Sequence, residues 1–310
     1  MKPNETKKLI GHKNEFDELI NIIKNNKLPN KILISGEKGI GKSVFSYHLI
    51  NYLLSKNEKF LYNTELNQIN NNNKSFNLII NASHPNFINI KKKLDKKSIE
   101  ISQIREINNF INKSVYGIQN KIVLIDGVEN LSNASGSALL KILEEPRNNV
   151  QFILIYDSSK FILDTIKSRC IEFKLNLKDE DIEKIVDTYF ENNIFDEINN
   201  NFKDMYLKPK DYINLINLFK ELNLDLKNNN IDYLIKHIIS SKIYKNKNIS
   251  SKIIKTLIEI YFLKTYKLIR ENDIYSLAKY FNKKYSETLK YNLDLESLFI
   301  ELKLKLIDEK

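Results

Sequence analysis

The chain has little of several residue types on which other protein classes depend. Its 310 residues include no tryptophan, one cysteine, five prolines and seven glycines. One cysteine cannot form an internal disulfide or a zinc site by itself, so we expect a reducing compartment, the cytoplasm. No run of about 18 apolar residues occurs, which predicts that no segment spans a membrane. The first residues lack the apolar core of a signal peptide, so we also expect no secretory signal.

Arginine is scarce as well, but lysine is abundant, and the net charge is +10. A positive balance of this size has two explanations. It can mark a surface that binds nucleic acid, or it can follow from a general compositional bias toward Lys, Asn and Ile. The lysines are distributed along the whole chain, so charge alone leaves both explanations open.

The first 174 residues alternate between helical patterns and short apolar runs. Such runs, separated by helices, predict a parallel sheet covered by helices on both faces. Residues 56–75 are polar and rich in asparagine, and we expect them to form a surface connection. The apolar runs predict strands at residues 31–35, 77–80, 121–125 and 151–155, and residues 171–174 also have a strand-like pattern.

Strand patterns stop after residue 175, and helical periodicity continues to the end of the sequence. Residues 227–230 read Lys-Asn-Asn-Asn and are a candidate hinge. We therefore expect an α/β domain at residues 1–174, a small helical lid at 175–228 and an all-helical domain at 229–310.

A complete phosphate-binding sequence follows the first predicted strand: Gly36-Glu-Lys-Gly39-Ile-Gly41-Lys42-Ser43. Glycines at these positions let backbone N–H groups turn toward an anion, and the following helix adds the positive end of its dipole. Lys42 is the candidate ligand of the outer phosphates, and Ser43 is a candidate ligand of Mg²⁺. The alternative is a vestigial loop that stays empty or retains ADP.

Asp126 ends a later strand and is the candidate second ligand of Mg²⁺. The ion is expected only when nucleotide is bound. The alternative role of Asp126 is to cap a turn. Hydrolytic proteins of this class carry glutamate at the next position to orient the attacking water, whereas this chain has Gly127. Glu129 is expected to point elsewhere. We therefore expect little independent ATP turnover.

Arg169 lies in the sequence Ser-Arg-Cys after a short helical stretch. A guanidinium with five fixed donors is suited to bridging a phosphate across a subunit boundary. The alternative is a salt bridge to a carboxylate of the same chain. Cys170 is expected to pack as a small apolar side chain.

Pro146 is expected to stop the helix predicted at 132–146. Glu144 and Glu145 lie at its end, where the dipole disfavours anions, and this placement indicates a basic partner such as Arg147 or a residue of another chain. The alternative is a solvated acidic helix end.

Four segments together resemble the clamp-loader branch of the AAA+ proteins, in particular the delta-prime family of bacterial DNA polymerase III. They span roughly residues 28–173 and occur in the family's order. The segments are the strand and phosphate loop from Leu28 to Lys42, Ile99-Glu-Ile-Ser-Gln-Ile-Arg-Glu-Ile, the block from Asp126 to Pro146 that ends in Leu-Glu-Glu-Pro, and Thr165-Ile-Lys-Ser-Arg-Cys.

The resemblance implies an AAA+ P-loop domain, a helical lid and a C-terminal collar domain that holds the subunits in a pentameric arc. It implies that Arg169 acts in trans on ATP bound by a neighbouring subunit. The implied ligands are ATP or ADP with Mg²⁺. The implied partners are the gamma/tau and delta subunits, a sliding clamp reached through the complex, and primer–template DNA.

Several positions depart from the family pattern. Leu9-Ile-Gly-His12 replaces the Arg-Pro segment of the motor subunits, and residues 56–75 contain no cysteine, so no zinc is expected. Tyr156-Asp157-Ser158 replaces the usual γ-phosphate sensor. Lys208 and Lys210 are the only candidates for a sensor in the lid. The alternatives are a hydrolysing gamma/tau-type motor and a DNA-binding AAA+ adaptor outside replication.

Overall fold

The structure is a computed structural model of the chain. It describes residues 2–114, 120–145, 149–205, 207–245, 251–269, 272–291 and 293–306. The chain divides into two compact units, Met1–Ile185 and Val186–Lys310. The first unit contains the sheet, and helices are the only regular elements among the described residues of the second. None of the described helices is both long and apolar enough to cross a membrane.

The sheet has five strands in the order β2-β3-β4-β1-β5, and every neighbouring pair is parallel. This order places β1 between β4 and β5, with the loop after β1 at the carboxyl edge of the sheet. The parallel α/β architecture expected from the sequence is confirmed. The strands are β1 (Lys31–Gly36), β2 (Phe87–Lys91), β3 (Lys121–Asp126), β4 (Val150–Asp157) and β5 (Ile171–Lys174).

Fourteen α-helices are formed by the described residues. Those of the first part are α1 (Lys13–Lys24), α2 (Lys42–Leu54), α3 (Lys74–Ile80), α4 (Ile101–Asn112), α5 (Asn133–Glu144), α6 (Asp164–Lys167) and α7 (Asp179–Phe190). Those that follow are α8 (Ile194–Glu197), α9 (Asn200–Lys203), α10 (Pro209–Glu221), α11 (Ile231–Ser240), α12 (Ser251–Ile269), α13 (Asn272–Tyr291) and α14 (Leu295–Leu306). Short 3-10 helices lie at Pro3–Glu5, Val128–Asn130 and Ile243–Lys245.

Alternate residues of β1 belong to two different apolar clusters, one on each face of the sheet. Ile32 and Ile34 pack with α1, α2 and α3, while Leu33 packs with α4 and α5. All three side chains are fully buried. Because successive side chains of a strand point to opposite faces, this division shows that helices cover the sheet on both sides.

The strand predicted at residues 77–80 is wrong. These residues belong to α3, and the second strand lies later, at Phe87–Lys91. Asn73 begins the helix, since its side chain accepts a hydrogen bond from the Phe76 N–H at 2.7 Å. Phe76 and Ile79 are buried on one helical face. A four-residue apolar run does not distinguish a strand from a buried helical turn, and the asparagine cap decides in favour of the helix.

The expectation of a surface connection at residues 56–75 is also wrong in part. Tyr62 and Ile69 are buried in the core cluster beside α2. Asn73 is fully buried and donates to the Phe60 carbonyl at 2.7 Å, while its own Oδ1 accepts from Asn51 at 2.9 Å. The asparagine-rich stretch therefore supplies buried hydrogen bonds that tie this segment to the domain.

The second unit buries aromatic and aliphatic side chains between its helices. Leu298, Phe299 and Leu302 of α14 are each 3% exposed or less. The rings of Phe299 and Tyr244 stack with their centroids 4.2 Å apart. Residues 227–230 lie between α10 and α11. The subdivision into a lid at 175–228 and a collar at 229–310 stays a prediction.

Candidate nucleotide site and exposed arginine

The phosphate loop leaves β1 at Gly36 and enters helix α2 at Lys42. Gly36 has a φ of +151°, and a Cβ there would lie 2.7 Å from the Leu175 carbonyl oxygen. The position therefore requires glycine, because the backbone of the segment after β5 passes directly against it. Gly39 and Gly41 also have positive φ values, and Gly41 caps the start of α2. The loop has the backbone that its sequence predicts.

Lys42 is turned back onto its own loop. Its ammonium donates to the carbonyl oxygens of Gly36 at 2.7 Å and Glu37 at 2.6 Å, and the residue is 8% exposed. Burial lowers the pKa of Lys42, while nearby carboxylates, with Asp157 the strongest and Asp126 among the others, act in the opposite direction. An ammonium has three donors, so one remains for a phosphate oxygen.

Ser43 and Asp126 lie side by side, as expected of two Mg²⁺ ligands. The Ser43 hydroxyl donates to Asp126 Oδ2 at 3.0 Å. Burial raises the pKa of Asp126, and the hydrogen bond from Ser43 counteracts part of this rise. A hydroxyl and a carboxylate are hard oxygen ligands of the kind that Mg²⁺ takes together with phosphate oxygens and water, so the residues fit the ion. No group of three His, Cys, Asp or Glu side chains suited to a metal occurs among the described residues.

Gly127 directly follows Asp126, at the position where a hydrolytic protein of this kind was expected to carry glutamate. Its φ is +89°, and a Cβ would lie 2.6 Å from Asn130 Nδ2. The backbone turns sharply here because the short 3-10 helix Val128–Asn130 starts at once. A side chain at this position would therefore be strained as well as crowded.

Glu129 does not point away from the site, contrary to the expectation from the sequence. Its Oε2 accepts a hydrogen bond from the Asp157 N–H at 3.3 Å. Its charge raises the pKa values of both Lys42 and Asp126. The 3-10 turn returns the chain toward the carboxyl ends of β3 and β4, and for this reason an acid two residues beyond Gly127 faces the pocket.

Asp157 is a member of the site that the sequence placed at the sensor position without assigning it a role. It is the last residue of β4 and stands in register with Gly36 of the adjacent strand β1. Although burial opposes it, hydrogen bonds from Ser159 at 2.8 and 3.2 Å lower the pKa of Asp157. Tyr156 is buried, and its hydroxyl donates to the Lys160 carbonyl at 2.5 Å. The Tyr156 phenol thus has a hydrogen-bond partner within its own loop. The sequence signal that could have identified Asp157 was its place at the end of a strand.

His12 is a second residue that sequence reasoning left without a role. Its ring is 4% exposed, with Nε2 2.8 Å from the Ile40 carbonyl oxygen and Nδ1 3.1 Å from that of Asn176. Both partners are acceptors, and a neutral imidazole can donate to only one of them. His12 therefore connects the phosphate loop to the segment that follows β5.

Arg169 lies on a different edge of the sheet from the phosphate loop. It precedes β5, whose first residue, Ile171, pairs with Ile32 near the start of β1, whereas the loop begins at Gly36. Four residues of strand separate the two levels by about 13 Å. The structure thus brings Lys42, Ser43 and Asp126 together and keeps Arg169 away from them.

The guanidinium of Arg169 is held by two groups of its own chain. Nη2 donates to Glu144 Oε1 at 2.6 Å, and Nη1 donates to the Thr165 carbonyl at 2.9 Å. The side chains of Arg169 and Glu144 are 34% and 54% exposed.

Glu144 ends α5, and its basic partner is Arg169 of the same chain, whereas the sequence pointed to Arg147 or another chain. Arg147 lies outside the described residues. The proposed helix stop at Pro146 lies outside the described residues. Cys170 is 9% exposed within the core, and burial raises its pKa to about 11.

Lys208 and Lys210 lie at the start of α10, in the second unit. The Lys208 carbonyl accepts from the N–H groups of Asp211 and Tyr212 as the helix begins. This contact is made by the backbone and assigns no sensor role to either lysine.

Comparison with known proteins places these features in one family. A family model described as DNA polymerase III, delta subunit, matches residues 11–179. The delta-prime subunit of Haemophilus influenzae is 40% identical over 100 residues, which cover 32% of this chain and 30% of that protein. The delta-prime subunit of Buchnera aphidicola subsp. Schizaphis graminum is 26% identical over 290 residues, covering 88% and 84%.

Matches outside the delta-prime proteins are also present. The gamma subunit of the same Buchnera is 32% identical over 241 residues, covering 74% of this chain and 61% of that protein. Two of these relatives are therefore matched over less than two thirds of their own length. A gamma-subunit-related protein of Thermotoga maritima superposes with a TM-score of 0.51 at 16% identity, covering 93% and 96% of the two chains. That likeness establishes the shared fold alone.

Proposed function

The chain belongs to the DNA polymerase III delta-subunit family, and from that premise we propose that it is a delta-prime-like subunit of a clamp loader. In this role it donates Arg169 to ATP bound by a neighbouring subunit and helps to place a sliding clamp on primer–template DNA. Its partners are then the gamma/tau and delta subunits, and its compartment is the cytoplasm. The helical residues 229–310 form the collar through which the subunits associate, and residues 175–228 form the lid.

The position of Arg169 is the observation that carries the proposal. The residue lies at the amino edge of the sheet, about 13 Å along the strands from its own phosphate loop, so it does not serve the nucleotide of its own chain. Its side chain is one-third exposed. Arginine presents a planar fork that suits phosphate oxygens and keeps its charge at all physiological pH values.

The contact with Glu144 is compatible with transfer of the guanidinium to a phosphate. An exposed pair of this kind contributes about 0–1 kcal/mol, whereas the phosphates of ATP offer several charged acceptors. Glu144 then holds the guanidinium until a neighbour's nucleotide replaces the carboxylate.

The chain's own pocket is proposed to bind ATP or ADP with Mg²⁺ without rapid hydrolysis. Lys42 would contact the outer phosphates, and Ser43 and Asp126 would hold the ion, whose charge would offset that of the surrounding carboxylates.

Gly127 leaves the attacking water without the usual adjacent glutamate, and Glu129, which does face the pocket, already accepts a hydrogen bond from the Asp157 N–H. This vacancy argues against the gamma/tau-type motor, and membership of the polymerase family argues against an adaptor outside replication.

Reconstitution tests the proposal directly. The chain is assembled with gamma/tau and delta subunits, sliding clamp and primed DNA, and ATP hydrolysis and clamp loading are measured. Arg169→Ala should lower the stimulated hydrolysis rate by about 10³-fold, because it removes the cation that stabilises the transferring phosphoryl group. Arg169→Lys should recover little, since an ammonium lacks the fork.

Two controls accompany the assay. Lys141→Ala removes another exposed cation, on α5, and should leave the rate unchanged. Thermal unfolding of each variant checks that the fold is retained. Unchanged hydrolysis and loading in a correctly assembled Arg169→Ala complex would refute the assignment, and failure of the chain to assemble with these partners would refute the proposed function.

A further inference from the structure

Although lysine is distributed along the whole chain, a dense basic segment that the sequence reasoning overlooked connects β2 to α4, outside the nucleotide site. Residues 91–97 read Lys-Lys-Lys-Leu-Asp-Lys-Lys, and all seven are exposed. We call this segment the lysine loop. It contains five of the chain's positive charges and one negative charge, so it concentrates a net charge of +4 on one short stretch of surface.

The lysine loop is fixed at both ends. On one side, Lys91 is the last residue of β2, and its carbonyl accepts a hydrogen bond from Gln103 Nε2 at 2.9 Å. On the other side, the Ile99 N–H donates to the Asn130 carbonyl at 2.7 Å, and Ile99 is fully buried. A turn closed by the Lys96 N–H and the Lys93 carbonyl at 3.2 Å shapes the middle. The charges are therefore presented on an anchored backbone, which lowers the entropy lost on binding.

Three of the five ammonium groups have no carboxylate partner in the part of the chain that the structure describes. Lys96 pairs with Glu100 at 3.1 Å. Lys91 stands in register with Asp126 and lowers the pKa of that carboxyl. The remaining lysines, at positions 92, 93 and 97, form no ion pair with the described residues. Their charges are available to an external anion.

The unpaired lysines lie away from the chain's own phosphate loop. The loop follows β2, the edge strand, while the phosphate loop follows β1, three strand positions away in the sheet. At about 4.8 Å per position the two are separated by about 14 Å. The first turn of α4 does not compete for an anion either, because Glu100 and Gln103 form a capping box there.

We propose that the lysine loop binds the phosphate backbone of nucleic acid without regard to sequence. Flexible ammonium groups act as point charges toward phosphates, and each neutralised phosphate releases condensed counterions. The inference rests on the proposed function for the statement that this nucleic acid is the primer–template on which a clamp is placed. Either single-stranded template or duplex supplies the same phosphate chemistry.

The test measures how strongly binding depends on salt. Full-length chain is titrated into a fluorescein-labelled 20-nucleotide single strand or a 20-base-pair duplex of mixed sequence, at several KCl concentrations. Replacing the unpaired cations in Lys92→Gln/Lys93→Gln/Lys97→Gln should make the slope of log K against log salt shallower. The expected change is about 2.1 units on the single strand or about 2.7 on the duplex, whichever the loop contacts.

A matched control distinguishes binding at the lysine loop from an effect of the protein's overall charge. Lys24, Lys27 and Lys113 are exposed and lie at the amino edge of the sheet, and changing all three to glutamine removes the same charge. Their variant should keep the wild-type slope. An equal change in both variants, or none in the lysine-loop variant, would overturn the proposal.

The alternative occupant is a protein, which would use Leu94 at the exposed tip of the loop. Leu94→Ser should leave the salt slope unchanged. If it instead abolishes association with the reconstituted partners while the triple lysine variant binds DNA normally, the loop is a protein-docking element and the proposal is wrong. The DNA titration needs neither ATP nor partners, so Arg169→Ala should behave as wild type, and failure of one proposal remains distinguishable from failure of the other.

Discussion

The nucleotide pocket and the Arg169 corner of the same domain treat their cations in opposite ways. Lys42 is buried, bonded to two carbonyl oxygens of its own loop and surrounded by the carboxylates Asp126, Glu129 and Asp157. Arg169 is partly exposed, bonded to one exposed carboxylate and one carbonyl. The first arrangement satisfies a charge inside the domain, and the second keeps a charge available at the surface.

The difference indicates which of the two sites works on another molecule. Displacing Lys42 from its contacts breaks buried hydrogen bonds, and the carboxylates around it repel a polyanion unless Mg²⁺ accompanies it. Displacing Arg169 from Glu144 breaks a solvent-screened pair. The guanidinium that must move to a neighbour's phosphate is thus held weakly. The ammonium of a nucleotide site with a structural role can be held tightly.

The largest expected difference between the two sites comes from removing the buried cation of the nucleotide pocket. Lys42→Ala should lower the affinity of the free chain for MgATP by about 10- to 100-fold, because a charged hydrogen bond to phosphate contributes about 1.5–3 kcal/mol. Isothermal titration measures this change. Lys38→Ala, at an exposed lysine of the same loop, serves as the control.

In the reconstituted complex, Lys42→Ala should retain the stimulation that depends on Arg169. Loss of that stimulation with nucleotide affinity unchanged would reverse the proposed roles of the two sites.

The second test restores the missing glutamate. Gly127→Glu should lower the free energy of unfolding by about 1–3 kcal/mol, since the residue has a φ of +89° and its Cβ would meet Asn130. Urea denaturation measures the loss, and Gly127→Ala separates the backbone cost from the effect of the new carboxylate.

Steady-state hydrolysis by the Gly127→Glu variant should stay at the background rate, because the backbone that presents the side chain is wrong for orienting water. A hydrolysis rate well above background would contradict this interpretation of the pocket.

The smallest expected effect concerns the Arg169 corner of the domain. Glu144→Gln should release Arg169 from its own chain and lower the nucleotide concentration needed for half-maximal hydrolysis by up to about fivefold, the equivalent of about 1 kcal/mol. The maximal rate should not change, because the guanidinium itself is intact.

Glu172→Gln, at an exposed acid of β5, is the control for loss of a negative charge. A fall in the maximal rate of the Glu144→Gln complex would instead show that the carboxylate positions the arginine in the reactive state.

Patterns local in sequence predicted most of the fold. Three strands, β1, β3 and β4, were identified because continuous apolar runs bounded by helices are typical of a buried parallel sheet. The mostly exposed β5 was identified only from a strand-like alternation of apolar and charged residues. The error at residues 77–80 arose because a short apolar run has no period of its own, and the decisive signal was the capping residue Asn73. Lys42 and Ser43 were identified because phosphate loops impose a fixed spacing, and Asp126 because it ends a predicted strand.

Contacts that depend on return of the chain from a distant strand were not predictable. Glu129 and Asp157 reach the pocket through a 3-10 turn and a strand register, neither of which a single sequence reveals. The link from His12 to Asn176 spans 164 positions. The pair of Arg169 and Glu144 was considered only as a general salt bridge, because helix α5 and the Ser-Arg-Cys segment meet in space and not in sequence.

Cys170, the chain's single thiol, packs within the core beside the arginine that is proposed to act in trans. Its burial and its pKa of about 11 keep the reactive thiolate form scarce near neutral pH. A second cysteine introduced at an exposed position, such as Leu94→Cys, would therefore react with maleimide dyes ahead of the native one. The protein can therefore be labelled with a fluorescent dye at a chosen site without first removing Cys170.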